Sequence, residues 1–295
     1  MALIALTGAT GFVGSHIAAA LREAGYAVRG VVRNPARGAW LRARGVSLVQ
    51  ADLTDRDSLT AAFAGADAVV SNAALGSWSG TLPDYERVNV GGMANLLDAM
   101  DEAGAARLVH ISTVAVYWTR LWRRMGEDSV LYGLRRRWLN PSDLTTDWRY
   151  ALTKSRAEAL MWERAADRAT ALRPGPVYGS RDPKLTRRYL AALDRRVALA
   201  PTVGVPQVHA GDVGAAVVGA LRNPNTAGRA YNLAGPPVSL LSIMRTLRQI
   251  AGRGPWLVPI PLPVWVAYDT RAAARDLGFQ ARPLEAGLRE AMATA

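Results

Sequence analysis

Tyr150 and Lys154 stand four residues apart in a segment whose pattern predicts a helix over 150–166, so their side chains share one face. Random placement of nine tyrosines and two lysines would give that spacing only about 0.06 times. A phenol of ordinary pKa, about 10, exchanges protons poorly at neutral pH, and a neighbouring ammonium that favours the phenolate makes it a usable acid/base group. At the end of an apolar segment over 107–112, Ser112 and Thr113 supply hydroxyls that can orient a carbonyl facing Tyr150.

A second constellation opens the chain. Thr7-Gly8-Ala9-Thr10-Gly11-Phe12-Val13-Gly14 follows an apolar run over 2–6 and leads into a helical pattern through Ile17 and Leu21. Strand, glycine turn and helix in that order let backbone amides approach a pyrophosphate at the positive helix end, which predicts a bound nicotinamide dinucleotide. A carboxylate ending the second strand would suit a free ribose 2′-hydroxyl. Here the residue is Arg33, with Arg37 nearby, which suits a 2′-phosphate, so NADP is expected in preference to NAD. Asp52, ending the third strand, accepts a hydrogen bond from the adenine amino group or caps the helix that starts nearby.

The elements that must position these residues alternate. Strands are predicted over 2–6, 27–33, 47–50, 68–71, 107–112 and 170–173, with helices between them that include 90–103 and 150–166. That order specifies the α/β class, a Rossmann-type doubly wound parallel sheet with a smaller, interleaved C-terminal substrate lobe. Residues 1–173 are expected to form the dinucleotide-binding domain, with an insert at about 118–149. Residues 174–295 are expected to form the substrate lobe, with about 205–233 returning to the core. The proline-broken stretch 255–265 cannot span a bilayer and is expected as a packed apolar loop near the substrate in preference to a membrane-surface patch.

Composition narrows the functions further. Half of the 295 residues are hydrophobic and a fifth charged, which excludes a mainly disordered chain. There is no cysteine, and His16, His110 and His209 are scattered, so neither a disulfide framework nor a thiolate or imidazole metal cluster is expected. No apolar run reaches membrane-spanning length, and no basic residue precedes Arg22 as a secretory signal requires, so a cytoplasmic location is expected. Of the net charge of +12, only Lys154 and Lys184 are lysines. The arginines are spread widely, which fits solvated faces or an anionic small molecule, and nucleic acid is not expected as a partner.

Taken together, these motifs resemble the extended short-chain dehydrogenase/reductases, in the NAD-dependent epimerase/dehydratase family and its 3β-hydroxysteroid dehydrogenase-like group. The resemblance runs through the glycine turn, Asp52-Leu53, Asn72-Ala73-Ala74, Asn89-Val-Gly-Gly92 with Asn95-Leu-Leu97, Ser112-Thr113 to Tyr117, Tyr150 to Lys154, Leu172-Arg-Pro-Gly-Pro-Val-Tyr-Gly179, Asp212-Val213, Tyr231-Asn232 and Ala274-Arg-Asp-Leu-Gly-Phe279. It implies Tyr150 as catalytic acid/base, Lys154 as its modulator and nicotinamide-ribose ligand, and Thr113 as the hydroxyl partner with Ser112 as the fallback. It places Pro174, Gly175 and Pro176 against the nicotinamide, Ala73 and Ala74 near the cofactor ribose, and Leu53, Asn72, Asn89 and Val177 in the cofactor set. It also implies a homodimer through a helix bundle that includes the Tyr150 helix.

Departures from the family pattern shape the functional expectation. Sugar-nucleotide 4,6-dehydratases carry an Asp-Glu pair after the threonine, whereas this chain has Val114-Ala115, so that elimination lacks its acid and base. Thirty-two residues separate Tyr117 from Tyr150, and this insert, with Trp118, Trp122, Trp138 and Trp148, is expected to roof the substrate cleft or to form an oligomer contact. The segment from Pro263 to Asp269 is shorter than in many steroid-dehydrogenase-like relatives. The leading expectation is an NADP(H)-dependent oxidoreductase acting on a secondary alcohol or ketone small-molecule substrate. The alternatives are a sugar-nucleotide epimerase, with Arg181, Arg187 and Arg188 on the diphosphate, and a non-catalytic NAD(P) sensor.

Overall fold

The computed structural model describes residues 1–132 and 146–293. Among these, seven strands form one parallel sheet in the spatial order Arg229–Leu233, Ala169–Pro174, Arg107–Ile111, Ala68–Ser71, Leu3–Thr7, Ala27–Val32, Ser47–Gln50. Parallel strands need crossover connections, and the helices supplying them cover both faces. On one face, helices Phe12–Glu23 and Ala210–Arg222 bury Ile17, Leu21, Val213 and Val217 against Leu6, Val109 and Leu172. On the other, helices Arg56–Phe63, Gly92–Ala103 and Trp148–Ala165 bury Leu59, Leu96, Met100 and Met161 against Ala5, Val69 and Leu108. No helix among the described residues is long and apolar enough to cross a membrane.

The order in which strands are added reverses between the parallel neighbours Leu3–Thr7 and Ala68–Ser71, because the chain winds outward through two strands before returning to the middle. Such a switch point opens a crevice beyond the strand ends. The glycine turn lies there.

Two helices start away from their predicted positions. Asp147 caps the Tyr150 helix by accepting from the Arg149 amide, so it begins at Trp148. The helix predicted over 90–103 begins at Gly92, because Glu86–Gly91 coils more widely, as a π turn.

The stretch 255–265 departs from expectation. Trp256–Ile260 pairs in parallel with Val197–Pro201 as a two-stranded ribbon of the smaller lobe. Strand alternation sends every second side chain outward, so Trp256 is 75% exposed instead of packed. The lobe's own core lies behind, where Tyr189, Leu193, Ile243, Met244 and Leu247 meet.

Candidate functional site

The turn after the first strand is built by close approach. Gly8 takes φ +67°, and a Cβ at Gly14 would fall 2.2 Å from the Gly8 carbonyl oxygen, so only glycine fits there. Thr7 Oγ1 accepts from the Asn72 and Ala73 amides at 2.9 and 3.0 Å, and Asn72 Nδ2 donates to the carbonyls of Thr7 and Gly8. Two strand ends are thereby locked side by side. No side chain caps the N-terminus of helix Phe12–Glu23, and Phe12 and Val13 face open space, which leaves amide donors for an anion.

All the residues predicted to bind cofactor or to act in catalysis, except Gly14 and Asn89, border one cleft of about 2670 Å³. That exceeds an ordinary ligand pocket of roughly 300 to 1,000 Å³ and leaves room for a dinucleotide and a substrate together. Gly14 acts from behind, through its packing on Gly8. Asn89 is buried and straps Leu75, through both its amide and its carbonyl, to the Thr153 hydroxyl on the Tyr150 helix.

Arg33 and Arg37 are exposed at the cleft edge beyond the second strand. Asp52 does not cap the next helix. Asp55 does, while Asp52 accepts from the Thr54 amide and hydroxyl at 2.8 and 2.7 Å. Burial pushes the Asp52 carboxyl up, but those Thr54 bonds, with the Arg33 and Arg87 cations, outweigh it and hold the pKa below the ordinary value.

Tyr150 and Thr113 both line the cleft, close enough for the threonine hydroxyl to act on the phenol. Burial pushes the phenol up to about 12, and the Thr113 hydroxyl works against it. The expected lowering by Lys154 is not found. The ammonium is turned beneath the cleft, donating to the Ile111 carbonyl at 2.8 Å and to His110 Nε2 at 3.1 Å. Burial brings Lys154 down to about 8, opposed by Glu158. His110 lies well below its ordinary value, through burial and then the Lys154 charge.

Ser112, the fallback for Thr113, also borders the cleft, and its hydroxyl donates to the buried Glu158. Glu158 pairs with Arg173, whose guanidinium also donates to Tyr117 Oη at 2.6 Å, and Tyr117 donates in turn to Asn232 Oδ1 at 2.8 Å. This network joins three strand ends and the Tyr150 helix behind the site. Sequence reasoning missed His110 and Glu158. Glu158 carried a readable signal, because it lies four residues beyond Lys154 on the same helix face, where an acid is otherwise unexpected.

The tryptophan roof is not found among the described residues. Trp118 packs on Tyr132 with ring centroids 6.3 Å apart, Trp122 and Trp148 are exposed, and Trp138 lies outside the described residues. The insert instead lines the cleft with Thr119, Leu121 and Thr146, and Trp78 from another loop joins them. Of the arginines offered for a diphosphate, Arg181 stacks 3.5 Å over the Trp40 ring, Arg187 does not line the cleft, and Arg188 does.

A doubly wound sheet with a glycine turn at its switch point and a Tyr-Lys helix beside it defines a dinucleotide-binding α/β protein. The chain belongs to the NAD dependent epimerase/dehydratase family, whose model matches residues 4–234. It is 34% identical over 190 residues to a 2-alkyl-3-oxoalkanoate reductase of Stenotrophomonas maltophilia, an alignment covering 63% of this chain and 54% of that protein. A 2-alkyl-3-oxoalkanoate reductase of Shewanella oneidensis is 29% identical, with 95% of this chain and 74% of that protein covered. Among solved structures, the UDP-glucose-4-epimerase from Stenotrophomonas maltophila with bound NAD superposes with a TM-score of 0.84 at 22% identity, covering 100% of this chain and 98% of that one, a likeness of fold.

Proposed function

We propose that the protein is an NADP(H)-dependent oxidoreductase that reduces a ketone to a secondary alcohol. The observation that carries this reading is the Thr113 hydroxyl acting on the Tyr150 phenol inside the cleft, beside Lys154. The cofactor, when bound, supplies hydride to the carbonyl carbon. The glycine turn and the uncapped helix end suit its pyrophosphate, and Arg33 and Arg37 suit a 2′-phosphate. Thr113 holds the carbonyl oxygen, and Tyr150 delivers the proton to it. The phenol carries its proton at neutral pH, the state from which a reduction starts, and burial makes that proton harder to give up. Lys154 supports the ribose side of the site from below.

The substrate half of the cleft is apolar, lined by Val205, Val238, Ile243, Met244 and Val264, with Lys184, Arg188 and Arg195 exposed at its rim. An apolar chain carrying a 3-oxo group and an anionic end fits that distribution, and the reductases of Stenotrophomonas and Shewanella act, by their names, on such 2-alkyl-3-oxoalkanoates. The rim cations also suit a diphosphate, which supports the sugar-nucleotide epimerase as a second reading. Engagement of Arg181 on Trp40 weakens it.

The test is stoichiometry. With a panel of long-chain 3-oxo acids and NADPH, this reading expects one NADPH consumed per alcohol formed. Interconversion of a UDP-sugar on a tightly retained cofactor, with no net NADPH consumption, would establish the epimerase instead.

A further inference from the structure

The proposed reaction makes no use of the outer face of the smaller lobe. In the ribbon Val197–Pro201/Trp256–Ile260, Val197 pairs with Trp256 and Leu199 with Val258. Paired residues of neighbouring strands point to the same side, so these four form one apolar surface. Val197 is 55% exposed, Leu199 64% and Trp256 75%, while the intervening Ala198 and Ala200 are buried. Leu262, Trp265 and Trp122 are exposed as well; Leu262 is tied to Thr202, next to the ribbon end at Pro201, and the Trp122 amide donates to the Trp265 carbonyl at 3.0 Å. The Trp122 indole donates to the Pro263 carbonyl at 2.6 Å, tying the insert to it. Isolated exposed apolar residues are ordinary, but a contiguous tryptophan-rich face is not.

Its charge identifies the occupant. The stretches 119–124, 194–203 and 253–266 that carry this face contain six arginines and one acid, Asp194, which pairs with Arg253. Arg120, Arg123, Arg124, Arg195 and Arg196 are all exposed. A second copy docking here by two-fold symmetry would set arginine rim against arginine rim. An anionic lipid surface complements both features, with tryptophan and aliphatic tips at headgroup depth and guanidinium groups on the phosphates. Val197, Leu199 and Leu262 border the catalytic cleft as well, so the cleft opens onto this face.

We propose that this ribbon seats the protein on an anionic lipid surface, with the mouth of the cleft turned towards the bilayer. Delivery of an apolar substrate by that route rests on the reductase reading; lipid binding itself does not.

The experiment is co-sedimentation of the full chain with vesicles of phosphatidylcholine alone and with about one-third phosphatidylglycerol, at low and high salt. It is repeated with Trp256→Ser/Val258→Ser and with Arg123→Gln/Arg196→Gln, none of which borders the cleft. NADPH binding, unchanged in each variant, reports intact folding. The expected result is salt-sensitive binding to the anionic vesicles, weakened at least tenfold on phosphatidylcholine alone and in the apolar double variant. Each arginine removed should weaken it by about fivefold. Wild type left in the supernatant with anionic vesicles overturns the proposal, as does variant binding equal to wild type. Self-association abolished by Trp256→Ser/Val258→Ser without vesicle binding would assign the face to a second copy and also overturn it. All these readouts are independent of turnover, so they fail or succeed separately from the reductase reading.

Discussion

Lys154 Nζ donates to His110 Nε2 over 3.1 Å, and both side chains are buried. An ammonium has no acceptor, so Nε2 must accept, and the His110 proton lies on Nδ1, directed at the Ser71 hydroxyl 3.2 Å away. A neutral imidazole thus holds the lysine beneath the cleft in place of a carboxylate.

That arrangement costs stability while Lys154 is charged. Its folded pKa of about 8 lies below the ordinary 10.5, so between those values the unfolded chain binds a proton that the folded chain has released. Stability therefore rises with pH across this window. Lys154→Met should abolish turnover yet be more stable than wild type at pH 7, by up to about 3 kcal/mol before the lost hydrogen bonds are counted. The advantage should close as pH approaches the ordinary lysine value. Urea titrations of both proteins from pH 7 to 10 measure it, and a gap that stays constant or has the opposite sign contradicts the assignment.

Arg33→Ala should weaken NADPH binding by about 10- to 100-fold, the value of charge-assisted bonds to a phosphate, and leave NADH binding nearly unchanged. Calorimetric titration of both cofactors against both proteins reads this directly. Tighter binding of NADH by the wild type would remove the arginine from its assigned role.

Glu158 and Arg173 form a buried pair in which neither charge has water as a substitute. Arg173→Met leaves a buried carboxylate uncompensated and should cost about 3–5 kcal/mol. Adding Glu158→Gln should restore a good part of it. A urea midpoint for the single variant close to wild type would show that the pair does not bear on the fold.

Gly14→Ala places a methyl 2.2 Å from the Gly8 oxygen, so the turn must open. Affinity for both cofactors should fall at least tenfold, with a smaller change in thermal stability, because the strain acts where amides meet the ligand. Unchanged cofactor affinity would place the pyrophosphate elsewhere.

The parallel sheet is legible because its strands are short apolar runs punctuated by glycine and aspartate; the glycine turn and the Tyr150–Lys154 spacing carry local signatures, whereas Thr113 is singled out over Ser112 only by the family resemblance. What escaped depends on contacts distant in sequence. His110 reads as one of three scattered histidines until the fold brings Lys154 to it from 44 residues away. Lys154 was expected to lower the Tyr150 phenol, but helix spacing fixes only a shared face, and the ammonium finds stronger partners below the cleft. In stretch 255–265, proline and apolar density say nothing of which strand face meets solvent. Trp118, Trp122 and Trp148 were expected over the cleft on composition alone, and the insert turns smaller residues towards it.

The central claim is that Tyr150 delivers the proton while NADPH delivers hydride, and isotope transfer tests it most directly. With NADPH deuterated at the transferring C4 position and a long-chain 3-oxo acid, deuterium should appear on the new carbinol carbon. Tyr150→Phe should slow that transfer by about 10²- to 10⁴-fold while binding NADPH as tightly as wild type. Deuterium transfer undiminished in Tyr150→Phe, or alcohol formed without deuterium, would contradict the account.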